Sequence, residues 1–274
     1  MRGFFIAAAL VALATLMGCQ SFPDPPVSFV AGLRVLGVKA EPPEAAPGDS
    51  ATISALAVDT PGAAPDATWS ACFATPMPGE AVNPDCVQAG ADWQSVGQGL
   101  SITATMPPVS VEALGGPDVT GGVYLPLVAD VRDATGAVSA VYRWRLAGSV
   151  SPNANPALAS VYRLDAAGGM VALDPGAPTA VAAGDALSLG VTFADGSAQD
   201  YTRADGATVT EILTTSWFCT AGTLSFEKTS AVQPETVLHL DQRVPPSGSS
   251  IDLWAVARDE RGGTDFAHRV LLLK

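Results

Sequence analysis

The sequence predicts an all-β protein made of two tandem antiparallel β-sandwiches behind a secretion signal. Three observations carry this. First, three signals recur in the same order in the two halves of the chain. They are "GDSATISALAVD" (Gly48 to Asp59) and "GDALSLGVTFAD" (Gly184 to Asp195), then "TWSACF" and "SWFCT", then "VRDATGAVSAVYR" and "ARDERGGTDFAHR". Second, apolar residues alternate with period two. Leu187, Leu189, Val191 and Phe193 are spaced as one buried strand face, and Ala51, Ile53, Ala55 and Ala57 repeat it with smaller side chains. Third, helical periodicity is hard to find, while short apolar runs are punctuated by Gly and Pro turns. The Arg-Asp-x-x-Gly of the third pair reads as a hairpin turn, and Arg143 aligns with Arg269 without a gap.

The elements follow in chain order. Residues 1–18 carry Arg2 and then "FFIAAALVALATL", an apolar run of signal length that is too short for an ordinary membrane span. Leu16-Met17-Gly18-Cys19 resembles the bacterial lipobox. That resemblance implies cleavage before Cys19 and lipidation of its thiol, with stable membrane anchoring through two or more acyl chains. Gln20 in place of aspartate after the cysteine implies the outer membrane, on its periplasmic or its cell-surface face. Residues 19–31, "CQSFPDPPVSFVA", read as a Pro-rich tether. The first domain is expected over 32–147, a semi-rigid linker over 148–159 ("GSVSPNANPALA"), and the second domain over 160–274, with each half able to fold alone.

Units of about 115 residues, each with one tryptophan on its third strand (Trp69 and Trp217), resemble the immunoglobulin-like class, including PKD-like and cadherin-like modules. The phrases "LRVLGVKAEPPEAAPGD", "TTSWFCTAGTL" and "LWAVARDERGG" are similar to a family of tandem immunoglobulin-like lipoproteins of Gram-negative bacteria, mostly uncharacterised. The resemblance implies location and architecture and little mechanism.

The chain has 14 Lys+Arg against 27 Asp+Glu, a net charge of −13, and removing Arg2 with the signal takes it to −14. Such a body argues against nucleic acid, which is held by Lys and Arg on phosphates. Among the cysteines, Cys72 and Cys86 bracket "FATPMPGEAVNPD". An oxidising envelope favours their pairing over two free thiols, and closing that loop contributes about 3 kcal/mol. Cys219 lies two residues after Trp217, so strand parity makes it a core thiol, with Ala71 as its partner position in the first copy.

No catalytic residue and no metal or cofactor site is assigned. His268, aligned with Tyr142, reads as a packing or edge residue, and His239 as an outward strand residue; no partnering motif makes the two a metal site. No Gly-x-Ser-x-Gly, His-Glu-x-x-His or phosphate-loop motif occurs. Asp130, Asp133, Asp259, Glu260 and Asp265 cluster at the hairpins. They either bind calcium through hard oxygen ligands or cap the turns by bonding their own backbone. "YTRADGATVTE" (Tyr201 to Glu211) signals one more hairpin.

The leading expectation is a non-enzymatic, lipid-anchored envelope protein. It displays two immunoglobulin-like domains as a structural or interaction module for an unidentified envelope protein or polymer. The alternative is a carbohydrate or polymer binder, which needs exposed aromatics. Trp93, Trp144 and Trp254 are the candidates, and Trp144, between Arg143 and Arg145, has the least core-like setting.

Overall fold

The computed structural model describes residues 26–59, 64–73, 93–111, 114, 116–147 and 152–274. The signal segment, Cys19 and Cys86 lie outside the described residues. Among the described residues there is no α-helix.

The first sandwich contains β1 (Arg34–Glu41), β2 (Glu44–Ala45), β3 (Ser50–Val58), β4 (Asp66–Cys72), β5 (Trp93–Gln98), β6 (Ser101–Thr105), β7 (Val123–Arg132) and β8 (Ala137–Leu146). One sheet has the order β1-β3-β6 and the other β2-β8-β7-β4-β5. The second sandwich contains β9 (Leu158–Leu164), β10 (Met170–Ala172), β11 (Thr179–Val181), β12 (Ala186–Phe193), β13 (Asp200–Thr202), β14 (Thr208–Thr210), β15 (Thr214–Cys219), β16 (Thr223–Leu224), β17 (Lys228–Ser230), β18 (Glu235–His239), β19 (Ser250–Arg258) and β20 (Thr264–Leu273). Its sheets run β10-β9-β12-β18-β16 and β11-β20-β19-β15-β17, beside a β13-β14 ribbon. Without the added edge strands β10 and β16, the two sandwiches have the same strand order. They even share a parallel strand pairing, β2 on β8 and β11 on β20. This is the tandem immunoglobulin-like architecture: two antiparallel sheets packed face to face, closed by a short first strand that switches sheets.

The repeated Gly-Asp marks one turn made twice. Gly48 and Gly184 both have positive φ, 91° and 87°, which a side chain would strain. The Gly48 amide donates to Met106 O and the Met106 amide to Asp49 O; Gly184 pairs with Leu240, and Leu240 with Asp185, in the same way. The strands that follow bury the predicted alternating face, with Ile53 and Leu189 fully enclosed. Trp69 and Trp217 are also fully enclosed between the sheets. Trp69 Nε1 donates to Gly99 O at 2.8 Å and Trp217 Nε1 to Thr229 Oγ1 at 2.9 Å, so neither indole is desolvated without a partner.

The third repeat does not align as the sequence suggested. The first hairpin pairs Arg132 with Ala137, whereas the second pairs Arg258 with Thr264 and so carries one more residue in its turn. Opposite Ala129 stands Ala140, and opposite Ala255 stands Ala267. Counted from these pairs, Tyr142 corresponds to Arg269 and Trp144 to Leu271, so His268 is not the counterpart of Tyr142. A one-residue slip moves every side chain to the other face. The same slip corrects the reading of Trp144. It is 1% exposed and packs in the first core, as Leu271 does in the second.

Candidate functional site at the junction of the sandwiches

The two sandwiches meet over a continuous contact that begins with strand alternation. On β19, Ile251, Leu253 and Ala255 point into the second core, so Trp254 and Val256 point out. Yet Trp254 and Val256 are buried, because Val30 and Leu36 cover them, with Leu56, Val58, Phe218 and Phe266 packed around. Both faces of β1 are therefore engaged: Leu36 on the second sandwich, and Val38 and Ala40 in the first core. Gly37 permits the approach, since a Cβ there would lie 3.0 Å from Val256 Cγ1. Trp254 also stacks on His268, with ring centroids 5.2 Å apart, and His268 Nε2 lies 2.7 Å from Asp252 Oδ1.

Polar bonds stitch the rim of this contact. Arg258 Nη2 donates to Leu36 O at 2.7 Å, and Lys39 Nζ reaches Asp265 Oδ1 at 3.1 Å. Asn155 bridges the halves. Its Nδ2 donates to Ala40 O at 2.7 Å, while its Oδ1 accepts the Thr264 amide at 2.8 Å. The stretch expected as a linker is thus a built part of the junction from Asn153 onward, with Asn153 buried against Asp259.

The N-terminal residues expected as tether are also seated where described. Glu227 is the residue that β15 bonds last on its β17 side, through the Trp217 amide. Beyond that point residues 28–30 take the place of β17. The Cys219 amide donates to Ser28 O, the Val30 amide donates to Cys219 O, and Phe29 bridges Cys219 in parallel. Ser28 donates from its amide and its hydroxyl to Glu227 Oε1, at 3.1 and 2.9 Å. Residues 26–31 therefore cover a sheet edge that would otherwise expose unpaired backbone.

Two of the hairpin acids, Asp133 and Asp259, cap their own turns, and the other three bond elsewhere. Asp133 Oδ1 accepts the amides of Thr135 and Gly136 and the Thr135 hydroxyl. Asp259 Oδ1 accepts the amides of Arg261 and Gly263, both at 2.8 Å. Asp130 accepts the Ser139 hydroxyl, and Asp265 Oδ2 accepts the Leu158 amide at 2.9 Å. Glu260 Oε2 accepts the Ile212 amide at 3.2 Å and the Tyr201 hydroxyl at 3.4 Å. Among the described residues no three His, Cys, Asp or Glu side chains gather as a metal site.

The expected hairpin of residues 201–211 is β13-β14, and a buried ion pair that the sequence reading missed holds it down. Arg261, fully enclosed at the tip of the β19–β20 turn, donates from Nε to Glu211 Oε1 at 2.6 Å and from Nη2 to Gln199 Oε1 at 3.0 Å. Its guanidinium also lies 5.0 Å from the Tyr201 ring centroid. Burial pushes the Glu211 carboxyl up, against the pull of the Gln199 amide and Arg261. Burial raises Asp259 as well, against its turn amides. The first sandwich has a buried pair of its own at a different place in the fold, Arg145 Nε with Glu44 Oε2 at 3.2 Å, and Arg145 Nη1 also donates to Tyr124 OH at 2.8 Å. Arg143 instead lies 4.0 Å over the Tyr124 ring and pairs with Asp118 at 3.0 Å. The signal for these pairs was present, since arginines flank Trp144 and one sits inside the Glu-Arg-Gly-Gly turn, but charge in a strand or turn reads as solvent exposure.

Between β1, the Ala140 to Arg143 stretch of β8 and the β19–β20 turn lies an open cleft of about 370 Å³. Its lining pairs aliphatic side chains and Tyr142 with Arg143, Arg258, Asp259 and Glu260, and it contains no histidine, serine or cysteine. Of the three candidate platform tryptophans, Trp144 is core, Trp254 is covered by the junction, and Trp93 on β5 is half-buried.

Cys219 is free and buried, and its thiol is pushed up to about 12, mainly by burial. Cys72 is disulfide-bonded and fully buried, while Cys86 lies outside the described residues. Digestion without reductant is expected to yield a Cys72–Cys86 peptide. Cys219 should resist thiol reagents near pH 8 until the chain unfolds. A Cys219 cross-link in the map would break this assignment.

No family model matches the chain, and no curated protein matches it. Solved structures similar to it include the three N-terminal domains of the bacteriophage RB49 highly immunogenic outer capsid protein, at 10% identity, covering 89% of this chain and 70% of that one, with TM-score 0.25. The N-terminal Ig1-2 module of the Drosophila receptor protein tyrosine phosphatase DLAR is 13% identical, covering 89% and 99%, with TM-score 0.26. The D0-D1 domain of intimin is 12% identical, covering 87% and 98%, with TM-score 0.22. At these scores the superpositions carry no argument. The shared strand order of the two halves assigns the chain to the tandem immunoglobulin-like β-sandwiches.

Proposed function

We propose that this chain is a lipid-anchored envelope protein whose paired sandwiches act as a non-catalytic structural or interaction module. The observation that carries the reading is the junction. The two copies of the fold are joined by apolar packing and by Asn155, Arg258 and Lys39 into one body. The Leu16-Met17-Gly18-Cys19 sequence supports the anchor, and Gln20 supports the outer membrane. The interior placement of Trp144 and the cover over Trp254 disfavour an aromatic platform for carbohydrate. Cys19→Ser is expected to move the protein from the membrane to the soluble envelope fraction and to remove acyl mass from its N-terminal peptide. Retention of the serine variant in the membrane would defeat the anchor.

A further inference from the structure

We infer that the edge of the second sandwich where residues 26–29 meet Phe226–Lys228 is the surface that lies on lipid headgroups. The inference rests on the anchored reading above and adds which face meets the membrane. Its first support is reach. Residues 19–25 number seven, and at the extended spacing of a chain they span at most about 25 Å. Pro26 already belongs to the turn that seats Ser28 on Glu227, because the Phe29 amide donates to Pro26 O at 3.0 Å. An acylated Cys19 therefore holds this edge beside the bilayer, although the edge belongs to the half that comes later in the chain.

The second support is the chemistry of the same edge. Val27 and Phe226, which adjoin the Ser28–Glu227 contact in sequence, are both large apolar side chains exposed to solvent; Val232, on the turn past the other end of β17, is 94% exposed. Lys228 is exposed beside Phe226, and Arg243, also exposed, places its guanidinium 5.6 Å from the Phe29 ring. Exposed apolar side chains among cations are poorly suited to water and well suited to a lipid interface, where the former enter the headgroup boundary and the latter meet anionic phosphates. Lys228 and Arg243 stand here against the Glu227 carboxylate, which Ser28 engages, so this edge is less acidic than the rest of a chain of net charge −13 and is the part an anionic surface repels least.

The test places a fluorophore at Val232→Cys or, on the far edge strand of the first sandwich, at Gln98→Cys. Vesicles of zwitterionic and anionic phospholipid carry a headgroup nitroxide quencher. Two forms are compared: the full acylated chain, and a chain starting at Gln20 with an N-terminal hexahistidine tag on nickel-chelating vesicles. In both, several-fold stronger quenching is expected at 232 than at 98. Equal quenching, or stronger quenching at 98, in the tagged chain overturns the membrane-facing edge whatever the state of Cys19. Absence of acyl mass on Cys19, with the asymmetry kept in the tagged chain, removes the anchor reading alone and leaves the surface standing.

Discussion

Replacing Arg261 with alanine is expected to destabilise the protein by about 3–5 kcal/mol, the usual loss when one partner of a buried ion pair is removed. Glu211 would remain enclosed without its counter-charge, and the β13-β14 ribbon would lose its bonds to the β19–β20 turn. Urea unfolding followed by tryptophan fluorescence reads the loss. The sign of its pH dependence follows from Glu211. Its carboxyl is already raised by burial, so the folded state takes up the proton more readily than the unfolded chain. Without Arg261 that preference grows. The deficit of the variant should therefore shrink as pH falls toward the ordinary carboxylate range near about 4 and widen as pH rises above it. The paired change Glu211→Met with Arg261→Met, which leaves no orphan charge, should lose much less. A single variant as stable as the parent at neutral pH would show that the pair does not hold the ribbon.

Separating the sandwiches should have an effect at least as large. Val30, Leu36, Trp254 and Val256 are buried by one another across the junction. Each full burial is worth about 1.5–3 kcal/mol, so exposing all four costs about 6–12 kcal/mol. The intact chain is expected to unfold in one urea transition. After cleavage between residues 147 and 152, the two pieces should stay associated through gel filtration, and the second piece produced alone should unfold at lower urea. Two separate transitions in the intact chain would instead bear out the expectation of independently folding modules.

That expectation arose because the sequence shows what is local. The Gly-Asp turns were legible because positive φ selects glycine, as at Gly48 and Gly184. Trp69 and Trp217 were legible because a strand with one buried face shows its period. Cys219 was placed correctly beside Trp217 by parity alone. The closing arginines misled, because Arg143 and Arg269 align in sequence while the second turn holds one more residue, and this also concealed the core role of Trp144. Val256 and Leu36 look like ordinary strand residues, and nothing near either in sequence shows that each covers the other. The Arg261–Glu211 pair joins two turns 50 residues apart and has no local signature.

The seat of residues 26–31 also sets an order of events in the making of the protein. Ser28 is bonded to Glu227, 199 residues further on. A chain made from its N-terminus exposes the first partner long before the second exists. Through synthesis, Val30 therefore waits without its cover, and the β15 edge closes only when the last third of the chain has arrived. Closing so long a loop adds little free energy per added residue but comes late in folding. Protease resistance of residues 26–31 is thus a readout of whether the far half of the molecule has been completed.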